Sequence, residues 1–494
     1  MTTAMFGISM QKVRAMIEEA DKYKEEGEHC MNESTLTPEE KEAIEQVRSD
    51  IINKDEGFQR TRLESLREMG ETLNTISLET AREILHEVKE TNYDGVLSEG
   101  KPKEIVPPRM TPEEKEAVDR LREEFKDEIT PYYDTDFNLL RWLIGHHYDM
   151  EIIRPKLHNH LLLRNFPEWQ LDIIARLPRI HPVHQFWKEG ITGEAGPKTP
   201  RTIVNIDQSG HTDWWGMLSA YPTNEILKAR VYDLESMLHE VMKKEAETGE
   251  RWSFLYVMDL TGLKYDRQLI SLCTGPLVAL ATFMQENYVE MFKHFVLVAA
   301  PGFMSVLWNL VYPILPEDTR KKVVILGSNW REEIRKMADD DVLPMIWNEG
   351  GKEEPFKAHI DVAIPVPKEV YHTGTLPPYA LKMTIKAGGT GYIEDYAKEG
   401  QLLCFEVNAD GRFDFAGYYS ADPANDDPDT TKWEKIIPLF QKIPGPTLTP
   451  MKDCVQCPKT GTYRCWVSNE HAWWHALKVV YTYSIEDPPN TPAL

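Results

Sequence analysis

The spacing of hydrophobic positions changes character along this chain. Up to about residue 105, and again from Thr111 to about Asn165, apolar residues recur at helical spacing among dense charge. The stretch FNLLRWLIGHHYD, for example, places Phe137, Leu140, Leu143 and Ile144 along one helical face. From Thr202 the texture is different. The short continuous apolar runs TIVNID, WSFLYVMD, HFVLVA and KVVILG alternate with helical stretches around 224–247, 265–292 and 303–312. Buried runs separated by helices predict an α/β domain with a largely parallel sheet. Beyond Gly350-Gly351, ALKMTIKA, QLLCFEV, RFDFAGYY, GTYRCWVS and LKVVYTYS alternate with period two. They predict an antiparallel β-sandwich of about 110 residues.

The boundaries that follow are a charged helical region at 1–105, a helical subdomain at 111–175, an α/β domain at 176–353, a Pro-rich linker at 354–374 and a sandwich at 375–486. GKPKEIVPPRM (100–110) stops any helix before the second segment. TPEEKEA occurs at 37–43 and identically at 111–117. Each copy is a helix start, with Thr as the cap, Pro in the first turn and Glu reaching back. Two independent starts or a decayed duplication both account for it. The acidic SADPANDDPDTTKW is a solvated excursion between strands.

Composition narrows the partners. The 494 residues carry a formal net charge of −24, with 41% hydrophobic and 28% charged residues, which suits soluble globular domains. No Lys/Arg-rich stripe is present to neutralise phosphates, so nucleic acid is excluded as a partner, and any contact with an anionic membrane must be local. The amino terminus MTTAMFGISMQKVRAMIEEADKY lacks a signal peptide's apolar core, and no apolar run is long enough to span a bilayer. A cytoplasmic protein is expected. Its six cysteines have no disulfide-framework spacing and read as ordinary thiols of a reducing compartment. Cys454 and Cys457 form one CxxC, with Cys465 and His471 or His475 near enough to leave a metal open.

A search for catalytic signatures is negative. No GxGxxG follows a strand, and there is no GxxxxGK[ST] or GxSxG; DQSGH (207–211) lacks the leading glycine. His181 and His184 in HPVH read as structural, and Asp259 at the end of an apolar strand as turn-forming. No triad, paired acid/base or metal cage assembles, so a binding protein is expected rather than an enzyme, with no cofactor.

APGFMSVLWNLVYPILPEDT carries Phe303, Val306, Leu307, Leu310 and Val311 at helical spacing, followed by the basic triplet Arg320-Lys321-Lys322. That helix reads either as core or as the lid of an apolar cavity. MFKHFVLVAAPGFMSVLWNLVYPILPEDTRKKVVILGSNW and FLYVMDLTGL resemble the core of the CRAL-TRIO lipid-binding family, and TDFNLLRWLIGHHYD resembles its helical extension. KTGTYRCWVSNEHAWWHALKVVYTYSI is similar to the last strands of a GOLD domain. Together they are the layout of the supernatant protein factor and tocopherol-associated protein type. The resemblance spans 111–486 and leaves 1–105 without a counterpart.

The resemblance implies a sheet floor under a lipid cavity closed by a mobile helix at 303–315. It implies Phe254, Tyr256, Met258, Phe283, Phe303, Val306, Leu307, Leu310 and Val311 as cavity and gate residues, and Glu290, Thr319 and Lys322 as holders of a phosphoinositide headgroup. The family's basic LRAR is here Leu143-Ile144-Gly145-His146, which removes two arginines near the mouth. Bulky Phe254 and Tyr256 suit a more apolar ligand such as a tocopherol or another isoprenoid. The implied partners are a hydrophobic lipid, a transient membrane surface and a protein bound through the GOLD-like sandwich. The alternative is an adaptor with a vestigial pocket.

Overall fold

A computed structural model describes residues 106–166, 171–175, 181–274, 276–304, 308–309, 312, 317–351, 354–374, 376–421 and 432–487. The region 1–105, with the first TPEEKEA, lies outside them, as do Val306, Leu307, Leu310 and Val311.

Helix α1 (Pro112–Glu124) begins as its sequence predicts. The Thr111 hydroxyl accepts from the Glu114 N–H at 3.2 Å, and the Glu114 carboxylate accepts from the Thr111 N–H at 2.8 Å. Helices α2 (Asp136–Gly145) and α3 (Met150–Arg164) follow. Their apolar stripes meet through Val118, Leu121, Phe137, Leu140, Ile153 and Leu157, all buried. A short α4 (Leu171–Ile174) leads toward the sheet.

The sheet runs β1 (Glu189–Glu194), β2 (Thr202–Asp207), β3 (Ser253–Asp259), β4 (Phe292–Val298) and β5 (Val323–Ile325), in that spatial order. The last four are parallel, as their continuous apolar runs predict. β1 pairs antiparallel to β2 and was not anticipated, because Gly190 and Gly193 break its pattern. α5 (Trp214–Ala220) and the 26-residue α6 (Thr223–Thr248) connect β2 to β3. α6 stops at Gly249, whose φ of 67° is the left-handed conformation that ends helices. α7 (Arg267–Thr274) and α8 (Pro276–Asn287) precede β4, and α9 (Glu317–Lys322) precedes β5. One sheet face, with Val204, Leu255, Val257 and Val296, packs against Trp330, Ile334 and Phe356. The opposite face, with Ile203, Phe254, Tyr256 and Phe292, packs against Leu234, Leu238 and Val241 of α6.

The segment expected as a linker is strapped to the α/β unit. Phe356 and Val366 are buried in its cores. The Val366 N–H donates to Asp213 Oδ2 at 3.1 Å, and the Gln208 amide brackets the strap, accepting from the Ala363 N–H and donating to Asp361 O. Prolines there deny the backbone a helix without preventing docking.

The carboxy-terminal sandwich has eight strands in two four-stranded sheets, ordered β10-β9-β12-β7 and β11-β8-β13-β6. β6 (Leu381–Ile385), β8 (Leu402–Ala409), β9 (Phe413–Ser420), β12 (Gly461–Ser468) and β13 (Leu477–Glu486) are the predicted strands. β7 (Thr390–Ala397), β10 (Glu434–Ile443) and β11 (Met451–Gln456) were not anticipated. The sandwich is not a separate body: residues 105–494 belong to one compact unit. Its core cluster continues into Leu163, Phe166, Leu171 and Val231. Lys228 of α6 pairs with Asp453 of β11 at 2.8 Å, and the Thr449 hydroxyl donates to Leu218 O at 2.9 Å.

The thiol expectation also needs correction. Cys404 and Cys454 lie directly opposite on β8 and β11 and form a disulfide, while Cys273, Cys457 and Cys465 are buried thiols. Among the described residues no group of three His, Cys, Asp or Glu side chains could hold a metal ion, and no helix is long and apolar enough to cross a membrane.

Candidate functional site

A partly exposed apolar floor runs across β3, β4 and β5. Alternation puts Met258, Phe295, Leu297, Val323 and Ile325 on one face, in register: Met258 beside Leu297, Leu297 beside Ile325, and Phe295 beside Val323. The first four are half-buried, and Ile325 is 37% exposed. Their neighbours on the reverse face, Val257 and Val296, are buried. β5 is therefore a short edge strand with one open side, not the buried strand its four apolar residues suggest.

Of the residues predicted to line a cavity, Phe254 and Tyr256 are 0% and 2% exposed and packed against α6 and Phe292, so they offer no surface here. Met258 and Phe283 retain some. The half-buried ring of Phe303 lies 5.0 Å from that of Tyr265. Phe295, Leu297 and Ile325 were not singled out from the sequence, although their period-two spacing carries the signal.

Tyr256 belongs to a buried polar network. The Arg230 guanidinium donates to both carboxylate oxygens of Glu189, at 2.7 and 2.6 Å, and to the Tyr256 hydroxyl at 3.1 Å. That hydroxyl lies 2.8 Å from Glu189 Oε2 and 2.7 Å from Asp207 Oδ2, and its proton serves one of them at a time. Burial, then the neighbouring Glu189 charge, push Asp207 up to about 6, against the opposing pull of Arg230. Asp259 is structural, as expected: it accepts from the Thr261 N–H and hydroxyl and from the Trp347 indole. His181 and His184 contact Glu225 and Ala229 O.

Beside the floor, the three predicted headgroup residues come from two elements. Lys322 ends α9, and its ammonium lies 2.6 Å from Glu290 Oε1, with both side chains mostly buried. Thr319 lies one turn earlier on α9 and is half-buried. Glu290 adopts φ of 53°, a conformation rarely held by a non-glycine residue, at the turn into β4. The cationic triplet divides its roles. Arg320 stacks on Tyr312, Lys321 pairs with Glu317 and Asp318, and Lys322 meets Glu290.

Imidazoles lie near this pair. His147 Nε2 lies 3.2 Å from Asp318 Oδ2. Burial holds His146 and His294 below the ordinary histidine range, and Lys156 lowers His146 further while Glu290 opposes. Both are therefore neutral near pH 7. Gly145 allows the approach: a Cβ there would stand 2.2 Å from Val289 Cγ1 and 3.1 Å from Glu290 Cγ. Gly145→Ala is expected to displace the end of α2 and cost about 1–3 kcal/mol, read from the denaturation midpoint.

The fold thus defines a mixed-sheet α/β domain, open on one apolar corner and joined to an antiparallel sandwich. Residues 198–350 match the family model described as "CRAL/TRIO domain". Residues 379–489 match one described as "F28H7_8_C:-like, C-terminal domain". The CRAL-TRIO domain-containing protein F28H7.8 of Caenorhabditis elegans is 28% identical over 262 residues, covering 52% of this chain and 62% of that relative. T23G5.2 of the same organism is 26% identical over 216 residues, 42% of this chain and 29% of the relative. The chain therefore spans less than two thirds of the length of each. The crystal structure of Sfh5 shares 15% identity, with a TM-score of 0.39 over 52% of this chain and 94% of that one.

Proposed function

We propose that the chain binds a hydrophobic lipid on the β3–β5 floor and carries it between membranes, the 303–315 segment acting as gate. The observation that carries this reading is the juxtaposition of a half-exposed apolar floor with a Lys322–Glu290 pair at its rim. In water, two acyl chains of about sixteen carbons cost on the order of 25 kcal/mol to expose, at about 0.8 kcal/mol per CH₂. A floor uncovered only at a membrane avoids most of that cost, and no covalent step is needed. Glu290 holds Lys322 in place, and an incoming phosphate would compete for the ammonium, with the Thr319 hydroxyl as a second donor. A phosphatidylinositol uses all three residues, whereas an isoprenoid or tocopherol-like ligand uses the floor alone.

The sandwich, GOLD-like in this reading, offers a surface for a protein partner. Trp473 and Trp474, 73% and 87% exposed, favour that second role. The protein would act at the membrane periphery. The Cys404–Cys454 disulfide weighs against a strictly reducing compartment.

Organic extraction of the purified chain followed by mass spectrometry is expected to recover about one lipid per chain. An empty extract favours the adaptor. Lys322→Ala should lower phosphatidylinositol loading about tenfold, the worth of one charge-assisted bond, and leave a neutral isoprenoid untouched. Equal loading of both by variant and parent removes the headgroup assignment.

A further inference from the structure

A cavity of about 280 Å³ lies where α3, α6 and α8 meet β10 of the sandwich. It is distinct from the floor described above, since none of Met258, Phe295, Glu290 or Lys322 lines it. An apolar cavity of roughly 150 Å³ accommodates benzene. One about twice that size has room for on the order of a dozen carbons, which fits one alkyl chain better than two. Its apolar wall includes Leu163, Leu227, Phe283, Leu439 and Phe440. Lys156 of α3 and Lys435 of β10 line it too.

Acidic residues number 80 against 56 basic ones, and Lys228, Lys322 and Lys459 all sit on carboxylates. Among the described residues neither Lys156 nor Lys435 has an ion-pair partner. Burial lowers the Lys435 ammonium from its usual range, with no acidic neighbour among the described residues offsetting it. Glu286, an exposed residue of the lining, lies beyond ion-pair distance of both. A half-buried cation without a counter-charge, beside apolar walls, is complementary to an anion with a hydrocarbon tail. The same cavity touches Asn224, 2% exposed, whose Oδ1 is buried without a hydrogen-bond partner and is free to accept from a hydroxyl or an acid proton.

We infer that this junction cavity binds a single-chain amphiphile with an anionic head, its chain against Leu163, Phe283 and Phe440 and its head drawn to Lys435, with Lys156 as a second cation. A carboxylate and a phosphate monoester share that chemistry. Because the walls come from both the helices and the sandwich, the bound chain would fasten one to the other. The inference is independent of what occupies the β3–β5 floor.

The test uses the full chain after lipid extraction, titrated with dodecanoate, dodecyl phosphate and dodecanol. Either anion is expected to bind more tightly than the alcohol, and the stronger of the two identifies the source of the head. Lys435→Met should weaken the anion about tenfold, leave dodecanol unchanged, and match the parent's melting curve. A photoreactive dodecanoate on the parent chain, which needs no variant to fold, should label Phe283, Leu439 or Phe440. Equal affinity for dodecanoate and dodecanol, labelling confined to Met258 and Phe295, or no binding of either anion would overturn the assignment.

Discussion

Arg164→Met is expected to remove about 3–5 kcal/mol of folding stability, a large share of the roughly 5–15 kcal/mol that holds a domain together. Arg164 ends α3 with its guanidinium enclosed, 2.7 Å from Glu235 Oε1 of α6 and 2.6 Å from Asp172 Oδ1. It also lies 4.4 Å from the centre of the Tyr133 ring. Glu235 is completely buried and otherwise receives the Tyr288 hydroxyl at 2.9 Å. Removing the arginine strands that carboxylate in a medium that solvates charge poorly, so the loss exceeds what the pair itself contributes. The double variant Arg164→Met with Glu235→Leu should regain much of it. Urea denaturation of both proteins checks this, and a double variant no better than the single one would assign the loss to packing around Tyr133 instead.

Arg230→Met should be comparably damaging, with a cost that grows with pH. Without Arg230, Glu189 and Asp207 face one another through Tyr256 with no cation between them. Asp207 is already raised to about 6 against an ordinary 3.8. A carboxyl raised in the folded state takes up a proton on folding between those values. Its favourable contribution is complete at low pH and lost as pH rises through about 6, some 3 kcal/mol in all. Losing the arginine raises Asp207 further, so the variant should lie nearer its parent at pH 5 than at pH 8. Asp207→Asn should do the reverse and gain on the parent as pH rises. Denaturant midpoints at the two pH values decide the matter; a pH-independent difference in both variants would mean that Asp207 does not carry the proton.

The architecture was readable where a segment repeats one spacing. β2, β3 and β4 are continuous apolar runs, and α1 announces itself through Thr111, Pro112 and Glu114. Strands that escaped notice have mixed signals: glycines in β1, Pro438 within β10, and acidic residues through TGYIEDYA of β7. The site divides the same way. Glu290, Thr319 and Lys322 were singled out by motif, and Lys322 meets Glu290. The polar network beside the floor was not found, because positions 189, 207, 230 and 256 are brought together only by tertiary folding. Nor does spacing reveal that Gly145 is small because Val289 needs the room.

α6 has work on two sides. Its Arg230 reaches into the sheet network, while Lys228 and Val231 are covered by the sandwich. Dissection near residue 375 would therefore not liberate a clean amino-terminal fragment. It would strip the apolar coat from Val231 and Leu163, leave Lys228 without its Asp453 counter-ion, and yield a sticky, weakened piece in place of a minimal lipid binder.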